Sequence, residues 1–208
     1  MVSAPVKRPV NSSDMDLPEH SNLKEKLIDA AEVCFEKKGV ARTTMLDVAA
    51  EAGVSRTSLY KHYPRIDDVL KAAFVREFDR FEEKLATKLT RCDAAEDRLL
   101  ETVIGIAENI PNSSWIGSLV SGPRTKTEET ALHLGRSALD ARIQNLIDEP
   151  LSALFQQGKL RADVDRTQVV EWTRIQVHAF SVVRHPGGYT KQKRRELISN
   201  FLLRAILA

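Results

Sequence analysis

From residue 22 to residue 63, apolar positions recur at helical spacing in three runs. Each run is opened by a capping residue and closed by a helix breaker. Leu27, Ala30, Ala31, Cys34 and Phe35 fall on one face of a first helix. Asn22, with Glu25 three residues on, has the form of a capping box for it. Lys37 and Lys38 suit the negative end of that helix, and Gly39 suits its stop. Thr44 with Asp47 is a second capping box, opening a short helix from Met45 to Ala52 that Gly53 ends. Ser55 caps a third helix, Arg56 to His62, and Pro64 stops it.

Helical signals continue to the end of the chain. Asp67 and Asp68 begin a helix carrying Val69, Leu70, Ala73, Phe74 and Phe78. Asp93 with Glu96 caps another, ending near Pro111. A short apolar piece, Trp115 to Val120, precedes a Gly122-Pro123 break. Thr125 with Glu128 opens a long helix that Pro150 is expected to kink or divide and Gly158 to end. Asp165 with Gln168 opens the next, which stops at Pro186-Gly187-Gly188, and the last runs from about Lys191 to Leu207. No run alternates as a half-buried strand does, and no internal repeat is present. The expected fold class is therefore all-α, with about nine helices.

Residues 1–21 read differently. Pro5, Pro9 and Pro18 with Asn11, Ser12 and Ser13 break any period, so a flexible tail is expected there. Lys7 and Arg8 are the tail groups that would touch DNA phosphates; a solvated end is the simpler reading.

Composition narrows the function classes. Hydrophobic residues make up 42% and charged residues 29%, which fits a globular chain rather than a disordered one. The formal net charge of +2 gives no reason to expect nucleic-acid binding, so any DNA surface must come from local patterning. Two cysteines, Cys34 and Cys92, without a secretory context point to a reducing compartment rather than a disulfide framework. Five scattered histidines do not supply a metal site, so no metal and no cofactor is expected. No apolar run is long enough to span a membrane, and the N-terminus lacks a signal-peptide core. A soluble cytoplasmic protein is the expectation. No Gly-rich phosphate loop, paired metal motif or nucleophile elbow points to an enzyme.

Local patterning is informative at residues 44–63. Two short helices that cross steeply need small residues, here Ala49 and Ala52, and a turn residue that tolerates a left-handed backbone, here Gly53. Val48, Val54 and Leu59 are the apolar anchors, while Arg56, Thr57, Ser58, Tyr60, Lys61 and His62 offer polar and basic groups on the other face. Between Lys37 and Arg65 stand six basic residues and two acidic ones, so this segment is +4 in a chain of +2. The third helix carries no carboxylate to repel phosphate. Small residues and a glycine turn also suit a hairpin buried in an ordinary bundle. Cap, turn, anchors and basic face together favour a helix-turn-helix that binds DNA.

The run AAEVCFEKKGVARTTMLDVAAEAGVSRTSLYKHYPRIDDVLKAAF, residues 30–74, resembles the TetR family of one-component bacterial regulators. The resemblance rests on Phe35 and Gly39, the Thr43-Thr44 pair, Val48-Ala49, Ala52-Gly53-Val54-Ser55 and Leu59-Tyr60-x-His62-Tyr63. It implies a three-helix DNA-binding domain, assigned to residues 22–66, and a larger helical ligand-binding and dimerisation domain over residues 67–208. It also implies double-stranded DNA with a palindromic operator as partner. Carried over, the DNA contacts would come from Thr43, Thr44, Ser55, Arg56, Thr57, Ser58, Tyr60, Lys61, His62 and Tyr63. Thr44 would bind phosphate through its hydroxyl and the helix N-terminus, and Arg56, Thr57 and Ser58 would reach base edges. The last four would mostly grip the backbone, with either tyrosine alternatively packing against the domain. Family members often carry a lysine where this chain has Ile66, so Arg65 is the candidate replacement there.

The resemblance further implies a homodimer released from its operator by a small molecule; a ligand-independent architectural DNA binder is the alternative. Phe78, Trp115, Phe155, Trp172, His178 and Phe180 are candidate pocket residues, with plain core as the competing reading for each. A pocket of about 300 Å³ or more would favour ligand control. The dimer seam would lie in residues 165–185 and 190–207. Val169, Val170, Trp172, Val177, Phe180 and Val183 supply apolar surface on the first helix; Leu197, Ile198, Phe201, Leu202 and Ile206 supply it on the second. Burial in the monomer core competes there too. The basic run Lys191, Lys193, Arg194 and Arg195 reads as a solvated face.

Overall fold

The apolar stripe Leu27, Ala30, Ala31, Cys34 and Phe35 is buried along one side of α1 (Pro18–Lys38). The helix starts four residues before the cap expected at Asn22, because Pro18 brings a helical φ and needs no N–H partner in a first turn. A 3₁₀ turn (Val40–Arg42) leads to α2 (Met45–Glu51) and α3 (Arg56–His62). Then come α4 (Ile66–Leu89), α5 (Ala95–Asn112), α6 (Ser114–Val120), α7 (Lys126–Gln156), α8 (Arg166–Val182) and α9 (Lys191–Ile198). The last continues through a π-helical turn, Ser199–Leu203, and a final turn, Arg204–Ile206. The computed structural model describes residues 18–112, 114–120, 125–182 and 190–208, without the side chains of 18–21, 109–112, 114, 120, 178 and 180–182. Among these residues there is no strand, only an isolated antiparallel bridge between Leu160 and Leu207. No described helix is long and apolar enough to cross a membrane. The Gly122-Pro123 break, the Pro186-Gly187-Gly188 stop, Val183, and Lys7 and Arg8 of the tail lie outside the described residues.

Four of the expected caps close with hydrogen bonds. The Thr44–Asp47 and Thr125–Glu128 boxes are both reciprocal, and the Ser55 hydroxyl accepts from the Ser58 N–H at 3.1 Å. Asp165 accepts from the Gln168 N–H at 3.1 Å and opens α8. Pro150 does not divide α7. Ile147, Leu151 and Leu154 around it are fully buried, and their packing holds the helix through the missing hydrogen bond.

Two apolar cores run along the molecule, and their division falls within α4. The first joins α1, α2, α3 and the first turns of α4 to Trp115, Ile116 and Leu119 of α6 and Ala131 of α7. The second joins Phe78, Phe81 and Leu85 of α4 to α5, the second half of α7, α8 and α9. The core of the N-terminal three-helix unit, here the head, therefore crosses the boundary expected between residues 66 and 67. Trp115 makes the crossing, with its ring 5.2 Å from Phe35 of α1 and 4.8 Å from Phe74 of α4. Beside it, Gly135 of α7 allows a close approach, since a Cβ there would sit 2.7 Å from the Phe74 ring. Arg76 of α4, mostly buried, binds Glu25, Asp29 and Glu32 of α1, so α1 and the start of α4 are tied together. Deeper in the body, buried Glu101 of α5 holds Lys88 of α4 and Arg195 of α9. Arg194 joins Glu108 at 3.4 Å, so these two members of the expected solvated run are anchors of the last helix. Both cysteines are free thiols.

Candidate nucleic-acid interface

Helix α2 is short, and its orientation follows from what it buries. Met45, Val48, Ala49 and Ala52 face inward. Gly53 follows with φ of 62°, a left-handed backbone that lets the chain reverse before Val54 and α3. The Val54 N–H closes this turn on the Ala49 carbonyl at 3.0 Å. On α3, Leu59 is fully buried and anchors the helix, while Arg56, Thr57, Tyr60 and Lys61 are exposed. Ser58 and His62 are half-buried at its edges. The two expected alternatives for the tyrosines resolve differently. Tyr60 points to solvent and Tyr63 packs against the head core. Burial, and then the nearby Glu25 carboxylate, push the Tyr63 phenol above its ordinary value.

The structure also sorts the charges of the head. Lys37 reaches Glu51 at 3.1 Å and Lys38 reaches Asp47 at 2.5 Å. Both carboxylates of the segment are thereby drawn back onto α1, on one flank of α2. Arg42, Arg56 and Lys61 form no salt bridge among the described residues. Arg65 pairs with Asp68 at 3.6 Å. The outer face of the motif therefore presents cations without acids, as phosphate binding requires.

Two threonines expected at DNA make hydrogen bonds within the protein. Thr43 is buried, and its hydroxyl donates to the Gly39 carbonyl at 2.9 Å, which fixes the turn before α2. The Thr44 hydroxyl is exposed but committed to Asp47, at 2.7 Å from Oδ2. Asp47 also accepts from the Thr44 N–H at 2.9 Å. The hydrogen bonds from Lys38 and then Thr44 hold the Asp47 carboxyl down at about 2. The depressed value means that this cap contributes stability above the ordinary carboxylate range and loses it as pH falls toward 2. A carboxyl titration followed by NMR should therefore give Asp47 a midpoint near 2, moving up toward the ordinary value in Lys38→Met. An unchanged midpoint in that variant would remove Lys38 as the main cause. Sequence spacing does not reveal these long-range pairs, because Lys37 and Lys38 read as two more cations for DNA.

The six residues expected in one ligand pocket are not gathered. Phe78 is core and stacks with Phe81, with Arg142 over its ring at 4.8 Å. Trp115 belongs to the other core, and Phe155 and Trp172 are exposed. The side chains of His178 and Phe180 lie outside the described residues. Among the described residues, two cavities of more than 300 Å³ are found. One, of about 360 Å³, lies between Val103 of α5, Trp172 and Gln176 of α8, and Leu197 and Phe201 at the last helix. The other, of about 390 Å³, lies where Phe35, Thr43, Ile66 and Leu70 of the head region meet Lys126 and Leu134 of α7. The dimer-seam residues also divide. Val169, Val170, Val177, Ile198, Leu202 and Ile206 are buried in the monomer, whereas Trp172, Ile175 and Phe201 are exposed.

Residues 27–73 match the model for bacterial regulatory proteins of the tetR family. Over 54 residues the chain is 41% identical to the HTH-type transcriptional regulator TtgR of Pseudomonas putida. That match covers 26% of this chain and 26% of the relative, so the chain aligns with well under two thirds of the relative's length. Over most of the chain the likeness is one of fold. The fatty acid degradation regulator FadR from Bacillus halodurans superposes with a TM-score of 0.67 at 17% identity, covering 91% of this chain and 97% of that one. AibR, solved in complex with isovaleryl coenzyme A and operator DNA, superposes with a TM-score of 0.57 at 17% identity, covering 87% of this chain and 98% of that one. Residues 27–73 of this chain are thus similar to the tetR family of bacterial regulatory proteins, and the remainder shares the fold of solved regulators.

Proposed function

We propose that the protein is a transcriptional regulator that reads duplex DNA with α3, works as a homodimer on a palindromic operator, and leaves it when a small molecule binds the body. The observation that carries this reading is the sorted charge of the head. Asp47 and Glu51 are held by Lys38 and Lys37, and the outer face carries Arg56 and Lys61, with no salt bridge among the described residues, beside Thr57 and Tyr60. That arrangement fits a recognition helix in the major groove. Homodimerisation is supported by exposed Trp172, Ile175 and Phe201 on the last two long elements. Ligand control is supported by two buried hydroxyls in the body, Thr102 on α5 and Thr173 on α8, that lack partners among the described residues. Each is a buried polar group that a polar atom of a bound ligand would satisfy. AibR, of the same fold, was solved with both an acyl-coenzyme A and operator DNA. The effector acts only through its different affinity for the DNA-competent and DNA-incompetent arrangements.

Selection of binding sites from random duplexes by the full-length protein tests the DNA half of this reading, and mass spectrometry of co-purified small molecules tests the other half. Affinity for the selected operator should fall steeply with salt. Arg56→Ala is expected to weaken operator binding by roughly 10-fold to 100-fold while leaving random-duplex binding nearly unchanged. Lys61→Ala should weaken both and reduce the salt slope by about 1. Equal binding of selected and random duplexes at physiological salt would sink the specific-regulator reading.

A further inference from the structure

Among the described residues of the helix-turn-helix, two large apolar side chains are exposed, Tyr60 on α3 and Leu46 on α2. Leu46 is 44% exposed. A single surface leucine is ordinary in itself, but its position on α2 is not arbitrary. At about 100° per residue, the buried Met45, Val48, Ala49 and Ala52 define the inward side of this helix. Asp47 and Glu51 fall on one flank, where α1 neutralises them. Leu46 and Ala50, both exposed, fall on the opposite flank, which carries no charge of its own. α2 thus turns its acids toward the protein and leaves one long apolar side chain free, with small Ala50 one turn on to permit close approach.

We propose that Leu46 packs on the 5-methyl group of a thymine in the major groove, and so contributes to operator choice alongside the polar groups of α3. This rests on the DNA-reading function proposed above. The chemistry narrows the partner. Phosphates and most base-edge atoms in the major groove offer charge or hydrogen bonds, which leucine cannot answer. The thymine methyl is the one apolar group on the base edges there. The sorting of charge supplies the complementarity: Arg42, Arg56 and Lys61 draw the duplex onto this face, and no carboxylate on the Leu46 flank opposes it.

The test uses the operator selected by the full-length protein. Each thymine is replaced in turn by uracil, which removes the methyl group and keeps the hydrogen-bonding edge. One thymine per half-site should show a loss of roughly fourfold on replacement, the effect of one buried methyl. In Leu46→Ala the thymine and uracil operators should bind alike, with the salt slope unchanged. Because Leu46 is exposed, the variant should melt as the parent does, and its melting curve is measured alongside. If no thymine is methyl-sensitive, or if the sensitivity survives in Leu46→Ala, the proposal is overturned and Leu46 lies against sugar or outside the interface. If no sequence is enriched in the selection, the DNA-reading function itself fails and this inference with it.

Discussion

Replacing Trp115 by alanine is expected to destabilise the protein by about 3–5 kcal/mol in urea unfolding, the range for emptying a large aromatic site in a core. Trp115 is 2% exposed and touches rings from two other helices, Phe35 of α1 and Phe74 of α4. The site has little room to collapse, because Gly135 already brings the α7 backbone close to Phe74. Trp115→Phe should cost far less, under about 1.5 kcal/mol. The indole N–H has no acceptor among the described residues, so phenylalanine forfeits no hydrogen bond. Amide exchange should accelerate most in α1 and the first half of α4, since those elements share the core that Trp115 fills. Fluorescence separates this tryptophan from Trp172, which is 52% exposed in one copy and supplies all the residual emission of Trp115→Ala; that emission should move to longer wavelength as the proposed dimer dissociates. A loss of stability equal in the alanine and phenylalanine variants would show that ring packing is not the source.

The consequence for function concerns where the head ends. A boundary at residues 66 and 67 follows from local signals, because Pro64 and the acidic pair Asp67-Asp68 mark a helix start. The apolar contacts ignore that boundary. Trp115, Ile116 and Leu119 arrive from about 50 residues downstream to complete the head core, and no window of sequence around α1 to α3 signals them. Caps were legible for the opposite reason. Thr44 with Asp47, Ser55 with Ser58 and Thr125 with Glu128 each satisfy their donors within three residues, so the sequence holds both partners of the bond. Lys37 with Glu51 and Lys38 with Asp47 span a turn and a second helix, and spacing alone leaves such pairs open. The same limit applies to Thr43, which periodicity places beside Thr44 but which folding turns onto Gly39.

The candidate dimer seam shows the limit in its sharpest form, and it sets the second large expected effect. Apolar residues on α8 look alike in sequence, yet Val169, Val170 and Val177 are buried in the monomer while Trp172 and Ile175 are 52% and 49% exposed. On the last helix Ile198, Leu202 and Ile206 are buried and Phe201 is 70% exposed. A helix buried along one side and apolar along another has two partners to satisfy. The first is α5, to which the Glu101–Arg195 and Glu108–Arg194 pairs also fasten the last helix. The second, in the proposed dimer, is the same face of another copy. Trp172, Leu197 and Phe201 line one groove of about 360 Å³, which suits the central pocket where aromatic anchors dominate an interface. Trp172→Ala should therefore raise the dimer dissociation constant by about 2–4 kcal/mol, roughly 30-fold to 1000-fold, in sedimentation equilibrium. Phe201→Glu should go further by placing a charge in the seam. Because both side chains are exposed in the monomer, neither change should loosen its fold, and far-UV circular dichroism at a concentration where the parent has dissociated should be unaltered. Operator affinity should fall with dimerisation, since one head then engages one half-site without its linked neighbour. An undiminished dimer in both variants would place the seam elsewhere on the body and leave Trp172 and Phe201 for another partner.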